Sequence, residues 1–397
     1  MLEYLFGRSE PKLTEKASLA SPDDVLRTLF DAAHSHSGVS VTPATALGCP
    51  PVRCAVLAIS EQVGQLPLQV YRRTEGGKER APNHPAYRLL HDDANDHQSA
   101  SSLRAQLTQD ALLHGNGFGL INRVDGRPIE LLRLDPAKID VEADDFGAPR
   151  YFMRRAGQRQ EFARANILHI RAPGLNGIAG DSPIRQARET IGLLLAIEGH
   201  TARLFKNGGR PSGIIAFPNE LTAEALAKAK AAWRASNSGE NSGGVTPLDN
   251  GASFLPIAMN SVDAQLIETW NRLVLDVARV FRVPPTVLMD FGRATWANSE
   301  AMRRDFIDFC LRRWLGEWEG QIRLKLIDEN DRDTYVAEFL LDDFLKGDTA
   351  ARMDAYGKAI AARILSPNEA RAMENRAPYE GGDRFENPNT TAVPANV

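Results

Sequence analysis

The alternation of hydrophobic and polar residues predicts two long amphipathic helices in the second half of the chain. The first covers residues 261–282 and the second about 298–327, each with apolar residues at helical spacing on one face. Pro284 and Pro285 separate them, because proline lacks an amide hydrogen and restricts the residue before it. At about 1.5 Å per residue, each helix would be roughly 33–45 Å long. Helices of this length, without a cluster of catalytic residue types, indicate an architectural part.

A third long helix is predicted at 183–207. Ser182 is a suitable N-cap, Pro183 suits the first helical position, and Asn207-Gly208-Gly209 is a typical C-terminal signal. Between this helix and the helix at 261–282 the pattern predicts strand, helix, loop and strand, at Ser212–Phe217, Ala223–Ala235, Ser236–Gly244 and Phe254–Met259. Two long helices therefore flank a small α/β module at 208–260, which they could hold away from the main body.

The remaining pattern predicts an α+β body. Helices are expected at 50–64, 85–91 and 101–114, and a strand at 66–73. From residue 117 the period changes to two, which predicts one antiparallel meander with strands at Phe118–Arg123, Ile129–Leu134, Lys138–Glu142, Tyr151–Arg154, Gln160–Ala163 and Ile167–Arg171. A strand at 335–341 and helices at 349–363 and 367–376 follow. Residues 1–37 are predicted to be a flexible arm and 381–397 a flexible tail.

Composition narrows the class of protein. The chain has 397 residues, 43% of them hydrophobic and 25% charged, which is typical of globular proteins. No run of 18 uncharged apolar residues is present, so we expect no membrane span, and the N-terminus lacks a secretory signal pattern. Three cysteines without a CxxC motif favour a reduced compartment. A net charge of −4 argues against tight, sequence-independent DNA binding, so any DNA contact is expected at few residues.

Two glycine-containing motifs resemble catalytic loops but are better explained by helix ends. Gly115-Asn-Gly117-Phe-Gly119 follows a predicted helix and precedes a strand, the reverse of a phosphate-binding loop. Gly180-Asp-Ser182-Pro resembles the nucleophile block of some esterases, but the helix that follows supplies no nearby base except His200, some five turns on. We therefore interpret Ser182 as an N-cap.

Two alternative functions stay open. His84, His91, Asp96 and His97 are metal-ligand types, which would suit a metal-dependent hydrolase, although they lack i, i+4 spacing and also fit a solvated loop. A non-enzymatic nucleic-acid-binding module is suggested by arginines on the predicted meander, which equally fit a sheet edge protected by charge: Arg150, Arg154, Arg155, Arg159, Arg164 and Arg171.

Short segments in a fixed order carry a resemblance that covers almost the whole chain, from residue 38 to 383. They are Gly38–Leu47, Gln65–Arg73, His84–Leu90, Leu113–Gly117, Gly180–Ile184, Phe205–Gly209 with Pro211–Ile214, Ala278–Pro285, and Leu365–Arg371 with Glu380–Asp383. Each is weak alone, but together and in this order they resemble the portal, or head-to-tail connector, of tailed bacteriophages with long non-contractile tails. The same pattern occurs in phage-like gene transfer agents.

The resemblance implies a structural protein, with no catalytic residues, no cofactor and no metal. It implies an α+β portal fold that assembles into a ring, usually of twelve subunits, around a DNA channel at one capsid vertex. The implied regions are a wing at 38–182, stem helices at 183–207 and 261–282, a clip at 208–260, a second wing part at 283–347 with the tunnel loop 290–297 and the long helix 298–327, and a short crown at 348–380.

The same resemblance implies the partners and the site. Expected partners are double-stranded DNA without sequence specificity, the large terminase (the packaging motor), head–tail adaptors and the major capsid protein, with no membrane. The location would be the virion, after assembly in the bacterial host cytoplasm. The tunnel-loop residues expected to line the channel are Asp290, Phe291, Gly292, Arg293, Ala294, Thr295 and Trp296. The residues expected to anchor contacts between subunits are Trp270, Trp314 and Trp318.

Overall fold

The computed structural model describes the chain from residue 35 to 385 with gaps. The described ranges are 35–155, 158–175, 177–206, 213–218, 220–236, 252–256, 262–291, 299–341, 349–374 and 376–385. The predicted flexible arm lies outside them up to residue 34. Its last residues, 35–37, form a turn in which the His36 amide donates to the Glu189 carboxylate at 2.8 Å, so the arm ends earlier than predicted. Among the described helices, none is both long enough and apolar enough to cross a bilayer.

The N-terminal part of the body packs four helices against a small sheet. Its elements are α1 (Pro43–Leu47), α2 (Pro50–Gln65), β1 (Leu68–Thr74), β2 (Gly77–Arg80), α3 (Pro85–His91) and α4 (Ala100–His114). One face of α2 is fully buried, because Val52, Val56, Ile59 and Val63 follow each other at helical spacing. The helix α2 packs on α4, and together they form the centre of the main core.

The predicted single meander is wrong in its pairing, although its strands are correct. They are β3 (Asn116–Val124), β4 (Arg127–Leu134), β5 (Ile139–Ala143), β6 (Pro149–Arg155), β7 (Gln158–Phe162) and β8 (Ile167–Arg171). Two separate antiparallel sheets form, in the orders β4-β3-β8 and β5-β6-β7. The strand β8 pairs with β3 and not with β7, which precedes it in sequence. Its side chains are buried on both faces of the strand, so it has to lie in the interior of the body.

The rest of the chain adds two long helices, the α/β module between them (residues 208–260, here called the insert) and a C-terminal helical unit. The elements are α5 (Pro183–Gln186), α6 (Arg188–Lys206), β9 (Gly213–Ala216), α7 (Ala223–Ser236), β10 (Ser253–Pro256), α8 (Val262–Phe281), α9 (Ser299–Asp305), α10 (Arg312–Lys325), β11 (Tyr335–Phe339), α11 (Thr349–Ala361) and α12 (Pro367–Met373). A π-helical segment, Phe306–Leu311, joins α9 to α10. The strands β9 and β10 pair antiparallel, and β11 pairs with β1, so the order of the first sheet is β11-β1-β2. The predicted α+β fold class is confirmed.

The C-terminal unit extends beyond the predicted crown. The Asn368 side-chain amide donates to the Tyr379 carbonyl at 3.0 Å and to the Asp383 carboxylate at 2.9 Å, and the Asn368 backbone amide donates to Gly382 at 2.9 Å. Residues 376–385 therefore fold back on α12, so the predicted flexible tail does not begin at 381. These bonds join the two C-terminal segments that carried the resemblance, Leu365–Arg371 and Glu380–Asp383.

A buried arginine connects the ends of two helices in the main core. Arg104 on α4 is 4% exposed, and its guanidinium donates to the carbonyls of Gly64 (2.7 Å) and Leu66 (3.2 Å) at the end of α2. It also donates to the carbonyl of Leu90, in the last turn of α3. Helix C-terminal carbonyls lack intrahelical partners and carry partial negative charge, so they can receive a buried cation. Burial lowers the pKa of Arg104 to about 10, which leaves it charged at neutral pH.

A second buried polar group joins β8, β3 and β6. The imidazole Nε2 of His169 lies 2.9 Å from Asn116 Oδ1, and its Nδ1 lies 3.1 Å from the Tyr151 hydroxyl. Asn116 Oδ1 also accepts from the Gly180 amide at 2.7 Å, so the proton is assigned to Nε2 and Nδ1 accepts from Tyr151. Burial, helped by two nearby cations, lowers the pKa of His169 well below its usual value near 6.5. This histidine is therefore neutral in the folded protein.

We expect Arg104→Met to lower the free energy of unfolding by about 3 kcal/mol or more, because it leaves several buried carbonyls without donors. Arg104→Lys should lower the free energy of unfolding by less, because the lysine ammonium can still donate to some of these carbonyls. Urea denaturation followed by circular dichroism measures both. The matched control is Arg53→Met, an exposed arginine on the neighbouring core helix α2. Equal stability of Arg104→Met and the control would contradict this role.

We expect the folded state to lose stability as the pH falls below the unfolded pKa of His169. The unfolded imidazole binds a proton near pH 6.5 and the folded one does not, so the unfolding free energy should fall by about 2 kcal/mol between pH 7.5 and pH 5 from this group alone. His84 also has a lowered pKa and adds to the same trend. Denaturation curves of His169→Gln should therefore depend less on pH than those of the wild type, and parallel pH profiles would refute the assignment.

Candidate functional site

The two predicted stem helices are covered by the protein's own chain only near the body. On α6 the buried residues are Ile191, Gly192 and Leu194, close to its start, and on α8 they are Leu273, Val277, Ala278 and Phe281, towards its end. The opposite halves, which lead to the insert, have no buried position among the side chains that the structure describes. Ile267 on α8, for example, is 65% exposed. The half of α8 that leads to the insert therefore presents apolar surface at Ile267, with Leu266 and Trp270 partly exposed beside it.

The first stem helix is held to the body where two glycine-containing turns meet. The Ser182 hydroxyl donates to the Leu113 carbonyl at 2.6 Å and accepts from the Arg185 amide at 3.2 Å, so the N-cap prediction is confirmed. Gly115 ends α4 with a φ of +89°, and a Cβ there would lie 2.5 Å from the Gly180 carbonyl oxygen. Only glycine permits this approach. The sequence showed both motifs, but it gave no signal that they touch each other.

The second stem helix ends in a tight turn that leads to the predicted tunnel loop. The Val283 amide donates to the Ala278 carbonyl at 2.9 Å, and Arg282 takes a φ of +57°. A 3-10 turn, Pro285–Leu288, follows and contacts the body through the Cys54 thiol, whose Sγ lies 3.0 Å from the Val287 carbonyl. The chain leaving this turn is thus fixed to the core.

The structure describes only the first two residues of the predicted tunnel-loop set. Asp290 and Phe291 lie directly after the 3-10 turn, and the Phe291 side chain is 61% exposed. Gly292, Arg293, Ala294, Thr295 and Trp296 lie outside the described residues. Their role at the channel therefore stays a prediction.

The predicted interface tryptophans separate into two kinds. Trp314 and Trp318 are 6% and 1% exposed in the single chain, and the Trp318 indole donates to the Thr108 hydroxyl at 3.0 Å. Burial within the single chain leaves little of either side chain for a neighbouring subunit, and their role as interface anchors stays a prediction. They belong to the core, because the helical run 299–325 packs its apolar face on α2, β8 and β11. Trp270 is only partly buried on α8 and stays a candidate.

The histidine cluster is not assembled into a metal site. His91 Nδ1 lies 2.8 Å from Asp92, and His97 Nδ1 lies 2.7 Å from Asp96, so each imidazole contacts its sequence neighbour. His84 instead caps α3, accepting from the Ala86 amide at 3.1 Å. No group of three potential ligands comes together within the described ranges. The geometry does not favour the metal-dependent hydrolase.

Four of the six arginines that suggested a basic face are paired with carboxylates. Arg154 lies 2.9 Å from Asp140, and Arg171 lies 3.0 Å from Glu317. Arg150 is held by both oxygens of Glu161 at 2.8 Å, and Arg159 pairs with Glu142. Cross-strand partners thus neutralise most of the basic surface, which weakens the interpretation as a nucleic-acid-binding module.

Comparison with known proteins places this architecture. Residues 50–375 match the family described as phage portal protein. The chain is 32% identical over 364 residues to the probable portal protein of Streptomyces phage phiC31, covering 87% of this chain and 78% of that protein. It is 28% identical over 373 residues to the portal protein of Enterobacteria phage HK97, covering 92% and 88% of the two chains. Its fold also resembles a chain in the neck of a native gene transfer agent particle computed with C12 symmetry, with a TM-score of 0.63 and 22% identity over 89% of this chain and 99% of that one. The chain therefore belongs to the phage portal protein family.

Proposed function

We propose that twelve copies of this protein form a ring-shaped DNA channel at one vertex of a phage or phage-like capsid. The observation that carries the proposal is the family match, which extends over residues 50–375 and is supported by relatives with portal names. The role is structural: DNA enters and leaves through the ring, and the chemistry of translocation belongs to a separate packaging motor.

The stem geometry supports a ring. The half of α8 that leads to the insert exposes Ile267, and the corresponding half of α6 has no fully buried position among its described side chains. Copies of the same helices, placed side by side, would bury this surface, and a repeated heterologous contact closes into a ring when its rotation is right. The twelvefold symmetry of the gene transfer agent neck supports the subunit number.

The charge of the chain suits a conduit. A net charge of −4 and paired arginines on the body keep DNA from binding along the whole surface. We propose that contact is confined to the tunnel loop, 290–297, where Arg293 of each subunit would contribute to a ring of positive charge. Double-stranded DNA would be held there through its phosphates, without reading of its sequence.

The remaining partners follow from the same proposal. The large terminase would dock at the clip, 208–260, and head–tail adaptors would bind after packaging. The body, or wing, would contact the major capsid protein, and the short crown, 348–380, would face the capsid interior. The protein would reside in the virion after assembly in the bacterial host cytoplasm.

We expect the purified protein to form rings that negative-stain electron microscopy resolves. Ile267→Asp should raise the concentration needed for assembly by about tenfold or more, because it places a charge in an apolar contact between stem helices. The control Val124→Asp changes an exposed apolar residue in the hairpin turn of the body and should leave assembly unchanged. A wild-type protein that stays monomeric at all concentrations would refute the proposal.

Arg293→Ala should leave the rings intact and lower the amount of DNA retained in particles several-fold, because the positive band at the constriction disappears. Nuclease-protected DNA per particle measures the effect, with Arg127→Ala on the exposed hairpin turn as the control. Loss of rings in Arg293→Ala would show instead that the loop serves assembly.

A further inference from the structure

One aromatic side chain of the body has no cover within the described chain. Phe146 lies in the turn between β5 and β6 and is 97% exposed. The turn around it is well defined: Asp144 Oδ1 accepts from the Phe146 amide at 2.9 Å and from the Ala148 amide at 2.7 Å. Gly147 supplies a φ of +77°, which closes the turn. Because the turn is fixed by its own hydrogen bonds, binding through Phe146 would cost little conformational entropy.

Two carboxylates accompany this phenyl ring. Asp144 and Asp145 precede Phe146 directly, so the turn presents an aromatic group beside negative charge. The hydrogen bonds from the Ala148 and Phe146 amides hold the pKa of Asp144 below its usual value, which keeps it ionised. We name residues 144–148 the knob. A rigid aromatic with flanking charge is typical of an anchor residue in an interface.

A cleft of complementary character lies at the root of the stem. It has a cavity volume of about 50 Å³ and lies between the start of α5, the end of α8 and the π-helical segment. Its apolar lining includes Pro183, Phe281, Phe309 and Trp314. The Phe309 side chain is 61% exposed, so the cleft opens to solvent through an apolar edge.

The charge around the cleft is positive. Arg282 and Arg313 both line it. Glu317 lies 3.2 Å from Arg313, but the same carboxylate also lies 3.0 Å from Arg171. One carboxylate therefore serves two guanidinium groups, and Arg282 adds a third positive charge. An acidic aromatic partner matches this site in its charge and in its apolar lining.

We propose that the knob of one subunit inserts into the cleft of the next, with Phe146 against Phe309 and the aspartates facing Arg282 and Arg313. The occupant is a second copy of this chain, and the contact joins two different surfaces, as a ring requires. The inference rests on the proposed ring and adds to it the pair of surfaces that fixes neighbouring subunits. It places the subunit contact at the root of the stem. The insertion of the knob into the cleft would therefore also set the spacing between the stem helices of neighbouring subunits.

The direct test is a cross-link between Phe146→Cys and Phe309→Cys, with Cys54→Ser in the background and a short thiol-reactive bismaleimide as the probe. Cys49 and Cys310 are buried, so they should not react in the folded protein. Assembled rings of the double-cysteine variant should give a ladder of covalent oligomers on a denaturing gel. Each single-cysteine variant should give none. Rings that assemble normally but give no ladder would overturn the contact.

Assembly and charge provide the second test. Phe146→Ala should raise the concentration for half-maximal ring assembly at least about tenfold, as measured by light scattering after gel filtration. Phe385→Ala is the control, an exposed phenylalanine in the C-terminal unit, and should leave it unchanged. Asp145→Arg should weaken assembly and Arg282→Glu should restore it in the double variant. If Phe146→Ala is folded by circular dichroism and assembles like the wild type, the knob–cleft contact is overturned, while the proposed ring is unaffected. If the wild type itself forms no rings, both the contact and the proposed ring are overturned.

Discussion

A single buried cation organises the body from which the stem projects. The Arg104 guanidinium reaches the carbonyls that end α2 and α3, while Arg104 itself belongs to α4, so three helices share one point of attachment. The β11-β1-β2 sheet contacts the same arginine through Phe339, whose ring centre lies 6.0 Å from the guanidinium carbon of Arg104. A buried charge is costly unless its hydrogen bonds are made, and here they fix the angle between helices. The stem and the loop that follows it depend on that frame.

The burial of the long helices shows which of them are covered within one chain and which are left partly uncovered. The helical run 299–325 finds its partners within the chain, and its two tryptophans are core residues. The helices α6 and α8 are covered only near the body, so half of each remains available. Since burying apolar surface away from water is favourable, the incompletely covered helices are where the proposed ring would gain its contacts. The length of a predicted helix therefore did not show whether it packs within the core or is a stem helix that is only partly covered.

The glycine-containing motifs and the arginines, which suggested catalysis or nucleic-acid binding, have structural roles in the fold. Gly115 and Gly180 let two turns approach within backbone distance at the stem root, and Ser182 caps the helix that starts there. The arginines of the body pair across strands and against α10 instead of forming a continuous basic face. A protein that passes DNA without holding it needs this balance, because unpaired arginines would bind phosphate along the whole route.

Local sequence determined the helices, the strands and their caps, because periodicity and capping depend on residues a few positions apart. The order of family segments determined the portal resemblance. Tertiary structure decided the pairings: β1 with β11, β8 with β3, and Trp318 with Thr108, 210 residues away. It also decided that the cap of α4 meets the turn before α5. Such contacts bring together segments that are distant in sequence, and they are set by competition for the same buried space, which no local pattern records.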